Sequence, residues 1–395
     1  MSDQPRPPLL LLALVTFVVG TDGFVIAGLL PQIAADLHVT PALAGQLVTA
    51  FALTFAVAAV VLSAVTGAWD RGRVMIIGLC VLAAASVGTA LAPNFPLALL
   101  GRIVAALGAS VLTSAAASTT AALVAPERRG RALSVVMGGL ISASAIGVPL
   151  GLLIGLAGWR ATLVAIGVLA FGVAIAIARR LPPVRLPSTS LASRLAPLGR
   201  PAVLRVAGAT SPLLCAMYAV HTYAAVLLAP THPEPWMIIA ALTGFGIASV
   251  IGNAIAGRLV DRRPAWLVIG AVAIGLIAVD ALGTFTLGSG IGSTVWIVAL
   301  ALFGGAITVP QQLRLLRIDP TAAPALLALN STAIYVGAAA GGALGGLALT
   351  WSPPAVLGAA ALSAAAGLLL IIADRPWRDE APRGATAPAA SGRAA

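Results

Sequence analysis

Three charged side chains fall inside stretches that are otherwise apolar: Asp22, Arg102 and Asp280. At the centre of a bilayer a charge costs about 2.5–3.5 kcal/mol on insertion scales, so each of them calls for a cavity or a partner. An aspartate so placed can take up and release a proton, and an arginine can act as its relay or counter-charge. A second set is polar and aromatic: Tyr218, His221, Thr222 and Tyr223. Tyr218 shares a helical face with His221, three residues on, and with Thr222, four residues on. Tyrosine and histidine stack on and hydrogen-bond a lipophilic ligand, or they form part of an aromatic belt at the membrane surface.

Other chemistries lack their residues. His38, His221 and His232 do not cluster with carboxylates, and the sequence contains no HExxH, no GxSxG and no Walker A motif. No catalytic residue and no metal site are expected, the chain is read as no enzyme, and ATP is excluded as the energy source. Cys80 and Cys215 both lie in apolar runs, which argues against a disulfide framework.

The elements that must position these residues are membrane helices. Apolar residues make up 60% of the 395, charged residues only 9%, and mean hydropathy is +1.04, too apolar for a soluble surface. A membrane helix needs about 20 mostly apolar residues. Twelve such spans are expected at roughly 9–30, 43–64, 74–92, 97–124, 131–157, 160–178, 204–229, 236–257, 264–287, 293–312, 324–350 and 354–373. The first run is too long for a signal peptide and lacks a cleavage site, so it is read as a retained helix. Prolines, glycines and charges mark the breaks. The longest internal polar stretch, with Pro182, Pro183, Pro187, Pro197 and Pro201, divides the chain. The expected organisation is an N-terminal six-helix half at 1–178, a cytoplasmic linker at 179–203, a C-terminal six-helix half at 204–373 and a disordered cytoplasmic tail at 374–395.

All 23 basic residues are arginine, and with twelve spans 21 of them fall on one side, leaving Arg160 opposite and Arg102 within span four. The positive-inside rule makes that side cytoplasmic, with both termini there. The same rule explains the net charge of +11 without nucleic acid. The halves also repeat each other. TGAWDRGRVMIIG after span two answers AGRLVDRRPAWLVIG after span eight, and spans five and eleven are both glycine-rich. A six-plus-six repeat is common among secondary transporters.

Several motifs are more specific. The opening reads GTDGFVIAGLLPQIAADLHVTPALAGQLVTAFAL, with Pro31 read as ending span one. Asp70, Arg71, Gly72 and Arg73 match the end of a G-x-x-x-D-R-x-G-R loop with one residue missing, and Gly257, Asp261 and Arg262 keep its second copy. Span four carries GRIVAALGAS, and span five carries GVPLG with Gly147, Pro149 and Gly151, followed by GWR. On these residues the chain resembles the major facilitator superfamily, in particular its twelve-span drug:proton antiporters, the arabinose-efflux-permease and chloramphenicol-resistance exporters.

The resemblance implies an all-α polytopic membrane protein with the major facilitator fold: twelve transmembrane helices in two pseudo-symmetric halves. It implies a cytoplasmic gate at Asp70, Arg71, Arg73, Gly257, Asp261 and Arg262. The glycines and proline of the span-five motif would seal the interface between the halves. Spans one and four would line the cavity, making Asp22 and Arg102 the proton-coupling residues. The antiporters carry an acidic residue where this chain has Gly23. Asp22 either replaces it by a shift of one position or faces about 100° away. Span seven would face substrate with Tyr218, His221 and Thr222, joined by Gln46, Asn253, Asn330 and Tyr335. Span nine is peripheral in this family, so Asp280 would sit near a helix end or pair with a polar neighbour.

The function implied is proton-coupled efflux of small lipophilic or amphipathic compounds, such as a drug or antibiotic, by alternating access. A sugar or metabolite exporter, or an uptake symporter, is the alternative, disfavoured by the sparse polar set; a membrane-embedded enzyme is a remote one. No cofactor is expected beyond the proton gradient. The partners implied are a small-molecule substrate, protons and the lipid bilayer, with no nucleic acid. The protein is expected as a monomer in the bacterial inner membrane.

Overall fold

The computed structural model describes residues 8–186, 191–319 and 322–374. Among these residues twelve helices are long and apolar enough to cross a membrane. They are α1 (Leu9–Asp36), α2 (Pro41–Val65), α3 (Arg71–Ala90), α4 (Phe95–Leu123), α5 (Pro126–Ala157), α6 (Trp159–Arg180), α7 (Pro201–His221), α8 (Pro235–Val260), α9 (Ala265–Thr286), α10 (Gly290–Ile318), α11 (Ala325–Leu349) and α12 (Pro353–Ala373). Their outer faces keep large apolar side chains exposed, such as Phe285, Ile291, Leu362 and Leu369. A bilayer solvates such a surface, and helices satisfy their own backbone within it.

The helix starts follow local chemistry. Thr40, Asp70, Asn94, Ser289 and Ser352 each accept a hydrogen bond from a backbone N–H in the first turn of the helix they precede. Gly158, at φ 115°, makes the tight turn between α5 and α6.

Two expectations about helix ends are corrected. Pro31 does not end α1, which continues to Asp36. Proline removes one backbone donor, and neighbouring helices support the interrupted ladder; here Ile33 and Ala34 beyond it are buried. Span seven is not continuous to 229. It stops at His221, breaks at Thr222 and Tyr223, and resumes as a short helix at Ala224–Leu228.

The linker stretch carries a short helix, Leu191–Leu195, and a 3-10 turn, Ala196–Gly199, before α7. Residues 375–395 of the expected tail lie outside the described residues, as does Arg6. Asp374 is no part of a loose tail: it is buried and ion-paired within the C-terminal half.

The cores show how the halves meet. One core cluster joins Leu29, Leu30, Ala44 and Leu47 of the first half to Val220, Ala224 and Leu228 of the second. At the arginine-bearing end the first half has its own core around Leu12, Val15, Met75 and Leu112. There the second half packs Val203, Val206, Leu315 and Leu326 separately. The molecule is closed at the end remote from the arginines, called the outer end below.

Candidate functional site

Asp22 of α1 and Arg102 of α4 meet in the interior of the first half. Arg102 Nη1 donates to Asp22 Oδ2 at 2.9 Å, and Nη2 donates to the Asp22 carbonyl oxygen at 3.1 Å. Ser86 of α3 donates its hydroxyl to Asp22 Oδ1 at 3.1 Å. The guanidinium lies over the Phe51 ring of α2, 4.4 Å from its centroid, a favourable cation–π placement. Asp22, Arg102 and Ser86 are all fully buried. Four helices thus converge on one ion pair. Asp22 faces Arg102 across the interior of the first half. A side chain at Gly23 would stand against Phe51, 3.6 Å away.

From Phe51 the aromatic groups run to the other half. Phe51 neighbours Phe55 at 6.2 Å, and Phe55 stacks on Tyr335 of α11 with centroids 3.8 Å apart. Sequence reasoning did not select Phe51 and Phe55, whose spacing of four on one helix was the available signal. His221 sits among Phe24 of α1, Tyr218 and Phe245 of α8, at 6.5, 5.7 and 4.6 Å. Tyr218 and His221 therefore do come together, with aromatic residues from both halves. Among the described residues the His221 Nδ1 and the buried Thr222 hydroxyl have no hydrogen-bond partner.

The remaining cavity expectations divide. Gln46 Nε2 donates to Ala42 of its own helix at 3.2 Å and belongs to the outer closure, beside Gly346. Asn330 is fully buried with neither amide atom bonded. Asn253 is half-buried on α8. None of these three polar groups hydrogen-bonds the Asp22–Arg102 pair.

Tyr223, at the break after α7, carries the outer closure. Its hydroxyl donates to the Gly342 carbonyl of α11 at 2.8 Å and reaches the Ala42 carbonyl of α2 at 3.4 Å. A Cβ at Gly45 or at Gly346 would overlap the tyrosine. The ring fits only because both positions lack side chains.

Among the described residues the bonds of the expected cytoplasmic gate stay within the first half. Asp70 caps α3, accepting from Arg73 N at 2.9 Å, and its other oxygen accepts from Val184 N at 2.6 Å. Arg71 N donates to Val184 O at 2.8 Å, and the Arg71 guanidinium donates to Gly67 O. The cluster ties the α3 turn to the chain leaving α6, within the first half. Asp261 and Arg262 are exposed, and among the described residues they form no ion pair. Gly257 has open space at its Cβ position. The reason is the separation of the two cores at this end.

The span-five motif packs on two sides, with its glycines toward α1 and another face against α8 of the second half. A Cβ on Gly151 would come within 2.6 Å of Val25 Cγ2, and one on Gly147 would overlap the Thr21 hydroxyl. Both glycines let α5 approach α1 within one half, and Pro149 follows a π-helical turn at Ala143–Gly147. The interface between halves lies on another face of that turn, where Gly246 of α8 packs on the Ser144 carbonyl.

Two polar networks were not foreseen. At the outer end Asp36 binds Arg160 and accepts from Trp159 Nε1 at 3.1 Å, while Arg160 donates to the Ala92 carbonyl at 3.0 Å. At the opposite end Asp374 accepts from Arg205 Nε and from Arg314 Nη2, both at 2.7 Å. Arg314 also donates to Gln311, whose amide donates to Thr210 of α7 at 2.8 Å. Asp374→Ala would leave the Arg314 guanidinium buried without its counter-ion, costing about 3–5 kcal/mol. A clear fall in the thermal unfolding midpoint in detergent is the expected result; an unchanged midpoint would contradict it. Asp280 of α9 is fully buried facing the Trp296 indole of α10, remote from the first-half pair in the fold, with neither carboxylate oxygen in a geometric hydrogen bond.

Comparison with known proteins gives the family. Residues 12–316 match the model of the Major Facilitator Superfamily. A chloramphenicol resistance protein of Streptomyces lividans is 33% identical over 346 residues, covering 85% of this chain and 87% of that one. The inner membrane transport protein YdhP of Escherichia coli (strain K12) is 29% identical over 375 residues, 92% of this chain and 94% of that one. Among solved structures, a D-xylose-proton symporter superposes with a TM-score of 0.73 at 14% identity, covering 92% of this chain and 95% of that one. A bacterial homologue of the human lysosomal transporter Spinster, in an inward-facing and unoccupied conformation, gives 0.72 at 17%, covering 93% and 95%. Such low identities speak for the fold alone. With twelve spans, two halves closed at one end and a family match over most of its length, this chain belongs to the Major Facilitator Superfamily and is a transporter, not an enzyme.

Proposed function

We propose that the protein exports small lipophilic or amphipathic compounds, such as a drug or antibiotic, in exchange for protons. The observation that carries this reading is the buried Asp22–Arg102 pair, joined through Phe51 and Phe55 to Tyr335 across the halves. A proton on Asp22 would neutralise the carboxylate and release the Nη1–Oδ2 bond, so proton uptake and the arrangement of α1 and α4 are linked. The aromatic residues supply stacking surface for a lipophilic solute, and the chloramphenicol resistance relative supports a drug as cargo. The proton gradient is the energy source, with no other cofactor. The protein works as a monomer in the bacterial inner membrane, its arginine-bearing end and both termini cytoplasmic. A sugar or metabolite carrier, or an uptake symporter, is the second reading; the few polar groups free to bind hydroxyls count against it.

Everted vesicles test the proposal. Adding a transported compound to energised vesicles is expected to release protons from the lumen, and Asp22→Asn is expected to remove that signal. Unchanged transport and proton release in the variant would exclude Asp22 as the coupling residue.

A further inference from the structure

The charge balance along the interface narrows the substrate class. Within the apolar stretches of α1, α2, α4, α5, α7, α8, α10 and α11 there is one carboxylate, Asp22. The other acids of these helices stand at their ends: Asp36 at the last residue of α1, bound to Arg160, and Glu127 exposed in the first turn of α5. Asp22 is itself committed, since Arg102 and Ser86 occupy both its oxygens and all three groups are fully buried. The other basic groups on the helices packed around it also lie at ends: Arg71 and Arg73 on α3, Arg128, Arg129 and Arg131 on α5, Arg160, Arg179 and Arg180 on α6. His221, beside Phe24, is enclosed by aromatic rings. The Asp22–Arg102 pair is therefore neutral when Asp22 is ionised and carries one positive charge when Asp22 is protonated.

Resting on the drug-export reading, we infer that the transporter takes uncharged aromatic compounds and discriminates against organic cations. A cation has no free carboxylate to meet; drawing on Asp22 would leave the buried guanidinium without its counter-charge. An anion would bind best to the protonated, positive site, so proton and solute would bind together, the opposite of exchange. An uncharged aromatic solute is accommodated by the neutral, paired state, whereas the released guanidinium of the protonated state demands water or an acceptor. Proton and solute then exclude each other, as exchange requires. One proton moving in against one uncharged solute moving out transfers one net positive charge. Transport is accordingly driven by membrane potential as well as by the pH gradient.

The test compares chloramphenicol, which is uncharged, with tetraphenylphosphonium, a lipophilic aromatic cation. In a drug-sensitive host the protein is expected to protect against uncharged aromatic antibiotics and not against a panel of lipophilic cations. With purified protein in detergent, tritiated tetraphenylphosphonium is expected to bind Arg102→Gln at least tenfold more tightly than wild type, because the variant leaves Asp22 uncompensated. In proteoliposomes a valinomycin-imposed potassium potential, without a pH gradient, is expected to drive chloramphenicol movement. Protection against cations equal to that against uncharged compounds would overturn the inference and leave drug export standing. Protection against neither class would overturn the export reading and this inference with it. The wild-type comparison remains decisive if Arg102→Gln fails to fold.

Discussion

Arg102→Gln is expected to be among the most damaging single substitutions in the first half, with two separable losses. The variant removes the counter-ion of a carboxylate that is fully buried and keeps only the Ser86 hydroxyl as donor. Removing one partner of a buried pair costs about 3–5 kcal/mol, because the remaining charge is left in a poorly solvating site. Phe51 also loses the cation over its face, and α4 loses the bond to the Asp22 carbonyl. Removing both charges is gentler. Asp22→Asn combined with Arg102→Gln replaces the ion pair by two amides of similar shape that can hydrogen-bond each other, and replacing a buried pair whole is often near neutral. The double variant is therefore expected to regain most of the lost stability while showing no proton exchange at all. Thermal unfolding in detergent reads the first quantity and everted-vesicle proton release the second. Recovery of both would show that the pair is architectural. Recovery of neither would show that the charges hold the four helices in a way amides cannot reproduce.

How much of this was open to inspection in the sequence depends on contrast. A charge among apolar residues stands out, so Asp22, Arg102 and Asp280 could be selected one by one. That Asp22 and Arg102 bond each other could not, since 80 residues separate them and nothing local encodes the partner. Phe51 and Phe55 offered only their spacing of four, being apolar residues in an apolar helix. The twelve spans followed from hydropathy, but hydropathy is blind to backbone continuity. It ran straight through the break at Thr222 and Tyr223, while the opening motif gave undue weight to Pro31. Charges at helix ends misled in the other direction. Asp70, Asp261 and their arginines form a gate by family resemblance, yet whether they bond across the halves depends on which end is closed. Asp374, read as the start of a disordered tail, is buried because two arginines on neighbouring helices draw it in.

Gly45→Val is expected to prevent closure of the outer end and with it the whole transport cycle. Even a Cβ at this position would overlap the Tyr223 ring, and Gly346 of α11 lies close against the tyrosine hydroxyl. Tyr223 is fully buried and cannot swing aside without giving up its bonds to Gly342 and Ala42. Closure is already opposed from within, because the Thr49 and Thr222 hydroxyls and the His221 Nδ1 are buried without partners. An unsatisfied buried polar group costs about 1–3 kcal/mol, a cost that hydration removes once the end opens. The closed arrangement therefore rests on the shared apolar core and on Tyr223 fitting between two glycines, and a modest change can tip it. In a background lacking Cys80 and Cys215, a cysteine at Thr49 reports the state through its reaction with an impermeant maleimide added from the outer side. Gly45→Val is expected to raise that rate at least tenfold and abolish transport, and Gly45→Val with Tyr223→Ala to bring the rate back down by removing the clash. Tyr223→Phe keeps the ring and loses only the hydroxyl. At about 0.5–1.5 kcal/mol for a hydrogen bond, it should shift the equilibrium about two- to twelvefold toward the open end, with transport slowed rather than lost. Unchanged labelling in Gly45→Val with transport intact would mean that the outer end closes by other contacts and that Tyr223 only fills space there.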